Sequence, residues 1–352
     1  MIQNGNQLLF QVRKIIEMTT KKLNSAVTMY KEPALERTEN QEHVMALAVD
    51  KSSRRRLNGL ARVIVKREGD VKVAGFIDRS QLYYVKSNDG LKWEQSGRLE
   101  IKGIDKIVNK CKKEGSDFIG LEDPDIWTDK NRNKHVYFTM PFIGYGLYLG
   151  HASGKDLEHL TATDPVLKPE FGNGISGFKE VAISPLEYRR SRINLAEAGA
   201  GDNSIITVVR ADNMGRDWEY LGVALHPVDT GYGWCAEHLS PCTFLPKEFI
   251  DYGNDLLVGI VNGREKSLRR GNKTIYRKFR PGLILYDYKT GEIPWISEEP
   301  LFEDPGAKTI TFASDFLMKD KNEGILYAHV DDSFVRAYRI DARALKEFLP
   351  KS

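Results

Sequence analysis

Glu122, Glu180 and Glu237 stand 58 and 57 residues apart, and each opens a set of short apolar runs separated by turn residues. The first of these sets continues through 135–140, 146–151 and 153–158, the second through 204–209 and 212–220, the third through 255–261 and 282–286. Another begins at Thr311 and continues through 324–330 and 334–338, and an earlier, less regular one spans 58–93. A unit repeated at such a period cannot bury its apolar faces alone and must stack on its neighbours. About four strands per unit is the pattern of sheets arranged radially about a channel. The chain is therefore expected to be all-β, a five-bladed β-propeller over residues 44–340. In that fold the first strand of each blade lines the channel, so the polar residues that open the units are expected to converge on one axis.

Residues before 44 have a different texture. Leu9, Val12, Ile15, Ile16, Leu23 and Val27 recur at roughly helical spacing with Lys and Arg between them. This predicts a helix over 6–30, in an N-terminal extension of residues 1–43 that packs on a main domain of 44–352. A short C-terminal helix is predicted over 342–348. The totals exclude several classes of function. Fifty-two basic and 49 acidic residues leave a net charge of +3, too balanced for the basic stripe of a nucleic-acid binder; Arg54-Arg55-Arg56 reads as a solvated loop. Cys111, Cys235 and Cys242 are an odd set without a Cys-x-x-Cys pair, against a disulfide scaffold or a structural zinc. No run approaches the length of a membrane span, and no apolar core with a small-residue cleavage site opens the chain. A soluble, cytoplasmic protein without metal or cofactor is expected.

The stretch Gly120-Leu121-Glu122-Asp123-Pro124-Asp125-Ile126-Trp127 places two adjacent carboxylates at the start of an apolar strand. Carboxylates near a core must be paired or protonated. Asp123 followed by Pro124 also suits an ordinary turn, and that reading stands beside the functional one.

Several of these segments, in order, resemble the five-bladed propeller glycosidases, and most closely glycoside hydrolase family 130, which comprises β-mannoside phosphorylases and hydrolases. Gly-Leu-Glu-Asp-Pro-Asp-Ile with its following aromatic strand is similar to the family's acidic motif. Ser87-Asn-Asp-Gly-Leu-Lys-Trp93 resembles a blade ending, and Phe178-Lys179-Glu180-Val-Ala-Ile-Ser-Pro185 its Lys-Asn/Asp-Ala-x-Leu-Phe-Pro segment. Val208-Val209-Arg210, Phe279–Asp287 with Glu299-Pro300-Leu301, and Gly324–Asp331 resemble later segments. Two departures stand out. Asp125 replaces the motif's Arg, and Val261-Asn262-Gly263 stands where the phosphorylases carry Tyr-His-Gly.

The resemblance implies glycoside cleavage on a β-linked mannoside or related glycan. That chemistry needs a proton donor and commonly a second carboxylate. Asp123 is the expected donor, with Glu122 raising its pKa by repulsion. Glu180 and Glu237 are the candidate bases, each equally readable as a surface glutamate at a strand edge. Lys179 and Arg210 are candidates to hold phosphate or a substrate carboxylate, His238 to bind substrate, and Asp331 to bind sugar unless it merely forms a hairpin turn with Asp332. His238 has no companions at metal-ligand spacing. Tyr145, Tyr232 and Trp234 are candidates for sugar stacking, with core packing the stronger reading for Trp234. With the histidine of blade four replaced and Arg210 the one clear phosphate-binding Arg, hydrolysis is narrowly expected over phosphorolysis. The basic insert 264–280 is the counterweight, as a possible source of replacement phosphate ligands. The alternative is a non-catalytic propeller that binds carbohydrate or protein.

Overall fold

The computed structural model describes residues 25–52, 56–170, 174–253 and 255–351. Most of the helix expected over 6–30 lies outside these residues. From Val27 onward the chain is strand: β1 (Val27–Leu35) pairs antiparallel with a strand at the other end of the chain.

Among the described residues most of the remaining strands fall into five antiparallel meanders, the third and fourth joined by a parallel bridge between Ser204 and His238. The first holds β2 (His43–Val49), β3 (Leu57–Glu68), β4 (Ile77–Ser87) and β5 (Glu94–Arg98) in that order. After β6 (Ile101–Lys102), helix α1 (Ile104–Cys111) and β7 (Asp117–Phe118), the second holds β8 (Glu122–Thr128), β9 (Lys134–Ile143), β10 (Gly146–Gly154) and β11 (Leu160–Ala162). The third holds β12 (Ile175–Ala182), β13 (Arg192–Ala200), β14 (Asn203–Ala211) and β15 (Glu219–Leu225). After the short helix α2 (Pro227–Thr230), the fourth is built of β16 (His238–Phe244) and β17 (Leu256–Arg264). A two-stranded hairpin of β18 (Leu268–Arg270) and β19 (Lys273–Ile275) interrupts it before β20 (Phe279–Asp287) and β21 (Trp295–Ile296). The fifth consists of β22 (Thr311–Met318), β23 (Glu323–Val330) and β24 (Phe334–Asp341), followed by helix α3 (Ala342–Lys346), and its fourth strand is β1. Residues 27–35, expected in the N-terminal extension, are thus part of the last meander.

The meanders pack in a cycle. Among their first strands, β2 lies on β8, β8 on β12, β12 on β16, β16 on β22 and β22 back on β2. Five apolar cores fill the spaces between successive meanders. Leu60, Ile126 and Phe138 meet between the first and second, Tyr137, Phe178 and Val209 between the second and third. Leu195, Leu239 and Tyr286 follow between the third and fourth, Val258, Phe316 and Leu326 between the fourth and fifth, and Leu47, Val63 and Tyr327 between the fifth and first. A strand buried on both faces needs continuous apolar sequence rather than alternation, which is why 256–261 and 282–286 read as unbroken runs. Buried tyrosine hydroxyls tie neighbours together: Tyr137 donates to the Met214 carbonyl at 2.9 Å, Tyr286 to Ile193 at 2.6 Å and Tyr327 to Gly90 at 2.7 Å.

Each first strand carries a one-residue bulge against its partner. The register skips between Met45 and Ala48, Glu122 and Asp125, Lys179 and Val181, Pro241 and Thr243, and Ala313 and Asp315. In the first three meanders a non-glycine residue in the bulge takes positive φ: Ala46 at 48°, Asp123 at 45° and Glu180 at 46°. Among the described residues no helix is long and apolar enough to cross a membrane.

The pairing of β1 with β24 yields a test. A chain begun at residue 36 loses this strand and exposes the β24 edge, and it is expected to unfold at a clearly lower temperature than the full chain. Equal melting midpoints by calorimetry would show that β1 does not contribute to stability.

Candidate active site

Residues from all five first strands line a cavity of about 750 Å³. Its wall includes Arg62, Glu122, Asp123, Lys179, Glu180 and His238, with Phe279, Phe312 and Tyr276 as aromatic surfaces. Gly120 admits the chain to this position. It sits at φ 122° against β4, where a Cβ would lie 1.9 Å from the Ser80 carbonyl oxygen.

Adjacent strand residues ordinarily face opposite sides, so Glu122 and Asp123 would not both line one cavity on a regular strand. The bulge at Asp123 breaks the alternation and lets both do so. Arg62, from β3, lies between them: its Nη2 is 2.6 Å from Glu122 Oε1, its Nη1 3.0 Å from Asp123 Oδ1, and its Nε donates to Ser80 Oγ at 2.9 Å. Burial nonetheless pushes the Glu122 carboxyl up to about 7, with Asp123 adding to the shift and Arg62 opposing it.

The bulge at Glu180 does the same for Lys179 and Glu180. Glu180 accepts from Ser240 Oγ at 3.2 Å. Its pKa stands well above the usual carboxylate range, first from burial and then from the negative charge of Asp123. Lys179 Nζ is 3.2 Å from Glu197 Oε1, and His238 Nε2 is 3.0 Å from the same oxygen. Glu197 is 1% exposed. Burial works against the Lys179 charge, but Glu197, Glu180 and Asp123 more than offset it and hold the ammonium charged. Burial holds the His238 imidazole below its usual value.

Five of the eight site residues expected from sequence therefore line one cavity: Glu122, Asp123, Lys179, Glu180 and His238. Three do not. Arg210 lies on β14 six residues beyond Ser204, which does line the cavity. At about 3.3 Å per residue that is roughly 20 Å away. Arg210 is half exposed and pairs with Asp212 at 3.4 Å and with Glu219. Glu237 precedes β16 and turns to Arg264 Nη2 at 3.1 Å and to the Ser267 amide and hydroxyl, so it orients a cavity-lining arginine instead of facing the cavity. Asp331 occupies the β23–β24 turn at φ 48°. Its carboxylate accepts from the amides of Lys308, Thr309 and Ile310 at 2.9, 2.9 and 3.0 Å, so it has the turn role and fixes a loop of the rim. Its neighbour Asp332 lines the cavity, 3.1 Å from His329 Nε2. Among the aromatic candidates, Trp234 is core, 4% exposed with Nε1 donating to the Ser297 carbonyl at 3.1 Å, and Tyr232 packs beside it.

Sequence reasoning missed Arg62, Glu197 and His329. Arg62 and Glu197 are charged residues inside otherwise apolar runs, Leu60–Val65 and Leu195–Ala198, and a charge at such a position implies a buried partner. Asn262, which stands where the resembling phosphorylases have His, is buried. It exchanges hydrogen bonds with the Ala313 backbone at 2.9 and 2.7 Å, joining the fourth and fifth meanders.

No family model matches the chain, and no curated protein matches its sequence. Solved structures do match its fold. A β-1,2-mannobiose phosphorylase from Listeria innocua, in complex with β-1,2-mannobiose, aligns with a TM-score of 0.65 at 13% identity, over 92% of this chain and 99% of that one. A structure described under the statement that the GH130 family of mannoside phosphorylases contains glycoside hydrolases targeting β-1,2 mannosidic linkages in Candida mannan aligns with 0.68 at 14%, over 90% and 94%. A mannose phosphorylase from Leishmania mexicana, in complex with phosphate ion, aligns with 0.57 at 14%, over 97% and 96%. The fold is that of the glycoside hydrolase family 130 structures, as the motif resemblance implied.

The Glu122 shift has a signed consequence. Its folded-state value of about 7 exceeds its ordinary 4.5, so its contribution to stability is full below about pH 4.5 and is lost as pH rises through about 7. Glu122→Gln is expected to flatten the fall in melting temperature between pH 5 and pH 8. An unchanged slope in that variant would place the linked protons elsewhere.

Proposed function

We propose that the five meanders are the blades of a five-bladed β-propeller over residues 27–341, and that the protein is an enzyme cleaving a β-linked mannoside or related glycan. The observation that carries this reading is the meeting of Asp123 and Glu180, from two different blades, on the wall of one cavity. Their charges are close enough for Asp123 to raise the Glu180 pKa. An acid–base cleavage of an acetal needs one carboxyl that carries a proton and one that does not. Neighbouring carboxyls that repel one another resist ionising together, and the Asp123 charge adds to the upward shift of Glu180. Burial and the Asp123 charge hold the Glu180 carboxyl well above its ordinary range, while Asp123 faces the Arg62 guanidinium. The motif resemblance favours Asp123 as donor to the leaving oxygen, and burial favours Glu180; the two residues act as a pair in either direction of proton transfer. Lys179 and His238, anchored by Glu197, then position sugar hydroxyls. The similarity of the fold to mannobiose- and mannan-directed enzymes supports the choice of sugar.

Water is the proposed acceptor. A phosphate dianion needs cationic groups free to bind it. Among the described residues five Lys and Arg side chains line the cavity: Arg62, Lys72, Lys179, Arg264 and Arg277. Four of them already lie within ion-pair distance of a carboxylate, Arg277 through Glu265 at 2.7 Å. The basic insert does reach the cavity, but its arginines arrive neutralised by Glu237 and Glu265.

Incubation of the enzyme with β-linked manno-oligosaccharides and aryl mannosides, with and without phosphate, tests both parts. Free reducing sugar is expected, unaffected by phosphate; accumulation of sugar 1-phosphate would instead establish phosphorolysis. Asp123→Asn and Glu180→Gln are each expected to lower kcat by about 10²-fold or more. Glycan binding by the wild-type protein without any turnover, altered only in affinity by Asp123→Asn, would favour the non-catalytic carbohydrate-binding reading.

A further inference from the structure

The rim of the cavity is asymmetric. The hairpin β18–β19 leaves the fourth meander and joins the β3–β4 loop of the first: the Ala74 amide donates to the Thr274 carbonyl at 3.0 Å and the Tyr276 amide to the Lys72 carbonyl at 2.7 Å. The fifth meander stands between these two in the packing cycle. The hairpin therefore forms a strap across the rim on that side, and Lys72, Tyr276 and Arg277 from its two ends face the cavity.

The opposite side is extended. A cleft of about 250 Å³ lies between the second and third meanders and shares Leu147, Lys179, Gly199 and Ser204 with the wall of the central cavity. Its own walls are of two kinds. Tyr145, Leu147 and Pro169 give an apolar surface, while Lys179 and Glu197 give charged hydrogen-bonding groups. The Tyr145 ring is held by its hydroxyl, which donates to Glu170 Oε1 at 3.0 Å, and by Lys113, whose Nζ is 5.6 Å from the ring centroid. Gly146 keeps the floor low, since a Cβ there would lie 2.7 Å from Pro169 Cβ. An aromatic platform facing a few fixed polar groups suits a ligand with one apolar face and a hydroxylated edge. A pyranose ring has that form.

We propose that this cleft is a further sugar subsite, which takes the next unit of a glycan whose scissile bond lies in the central cavity, with Tyr145 as its platform. The proposal rests on the glycoside-cleaving reading and adds to it that the preferred substrate is longer than a disaccharide and leaves the cavity away from the strap. A chain extended toward the fifth meander would run into the β18–β19 hairpin; one extended toward the cleft meets the shared wall at Lys179 and Ser204.

The experiment compares β-linked manno-oligosaccharides of two, three and four units on the wild type, Tyr145→Ala and Ser176→Trp, the last placing a bulky side chain at an exposed position on the cleft wall. In the wild type the ratio of kcat/KM for three units over two is expected to be roughly tenfold, the scale of one aromatic contact, with little further gain for four. Both variants are expected to bring this ratio close to one through KM, with melting temperatures near that of the wild type. A wild-type ratio of one, or a ratio unchanged in both variants, overturns the subsite. If the wild type cleaves none of these glycans, the catalytic reading has failed and calorimetric binding of the same ladder decides the subsite separately. Tighter binding of three units than two, lost in Tyr145→Ala, sustains it, and equal affinities or no binding overturn it.

Discussion

The bulges in the first strands of the second and third meanders are the constraint on which the site depends. Alternation would give a strand only every second side chain for the central cavity. One extra residue lets the pairs Glu122–Asp123 and Lys179–Glu180 face it together. The cost is local: a non-glycine residue at φ near 45° is strained by about 1–3 kcal/mol. Such a conformation persists only where the surroundings over-determine it. Here the cores on both sides of each first strand supply that rigidity. Ala46 takes the same φ in the first meander without bringing a functional group, so the strained turn belongs to the architecture and the second and third meanders have put chemistry on it.

Charges concentrated in this way require partners. Arg62 serves two carboxylates, while Glu197 serves a lysine and a histidine. Each bridging group comes from the second strand of a meander, one layer behind the first strands. The arrangement gives the cavity mixed charge with nearly every cation matched, suited to a neutral, hydroxyl-rich ligand that exchanges hydrogen bonds with fixed groups. Removing a bridge would leave buried charge uncompensated, a larger loss than the pair's own net contribution.

The all-β architecture and the place of the cavity were legible in the sequence because a repeat carries its own geometry: equal spacing put Glu122 and Glu180 at equivalent positions. The same logic failed at Glu237. It lies one residue before β16, and the bulge in that meander falls later, between Pro241 and Thr243, so equal spacing did not mean an equal direction. Arg210 misled because a strand has two ends, and resemblance at the end of an apolar run does not say which end opens on the cavity. The role of residues 27–35 was not legible at all. An edge strand that pairs with a partner some 300 residues away leaves no periodic signal of that partner. The bulges were legible in principle, since neighbouring charged residues at the start of an apolar strand contradict alternation unless the strand is kinked.

That kink also accounts for the departure at Asp125. In the resembling motif an arginine follows the proline, where this chain has an acid. Beyond the bulge, however, Asp125 is absent from the cavity wall, and its carboxyl is pushed up to about 7 by burial and by the nearby Asp315, against the pull of Lys51. Lys51 is 2.6 Å from Asp315, whose other oxygen accepts the Val49 amide at 2.8 Å. Close by in sequence, Asp50 is held by Lys134 at 2.8 Å. Asp125 thus belongs to a second polar layer that joins the first, second and fifth meanders. The bulge divides the motif, with Glu122 and Asp123 facing the cavity and Asp125 turned toward the contacts between sheets. A change at Asp125 therefore bears on how the meanders are held together, while the chemistry proposed for Asp123 depends on Arg62 and Glu180.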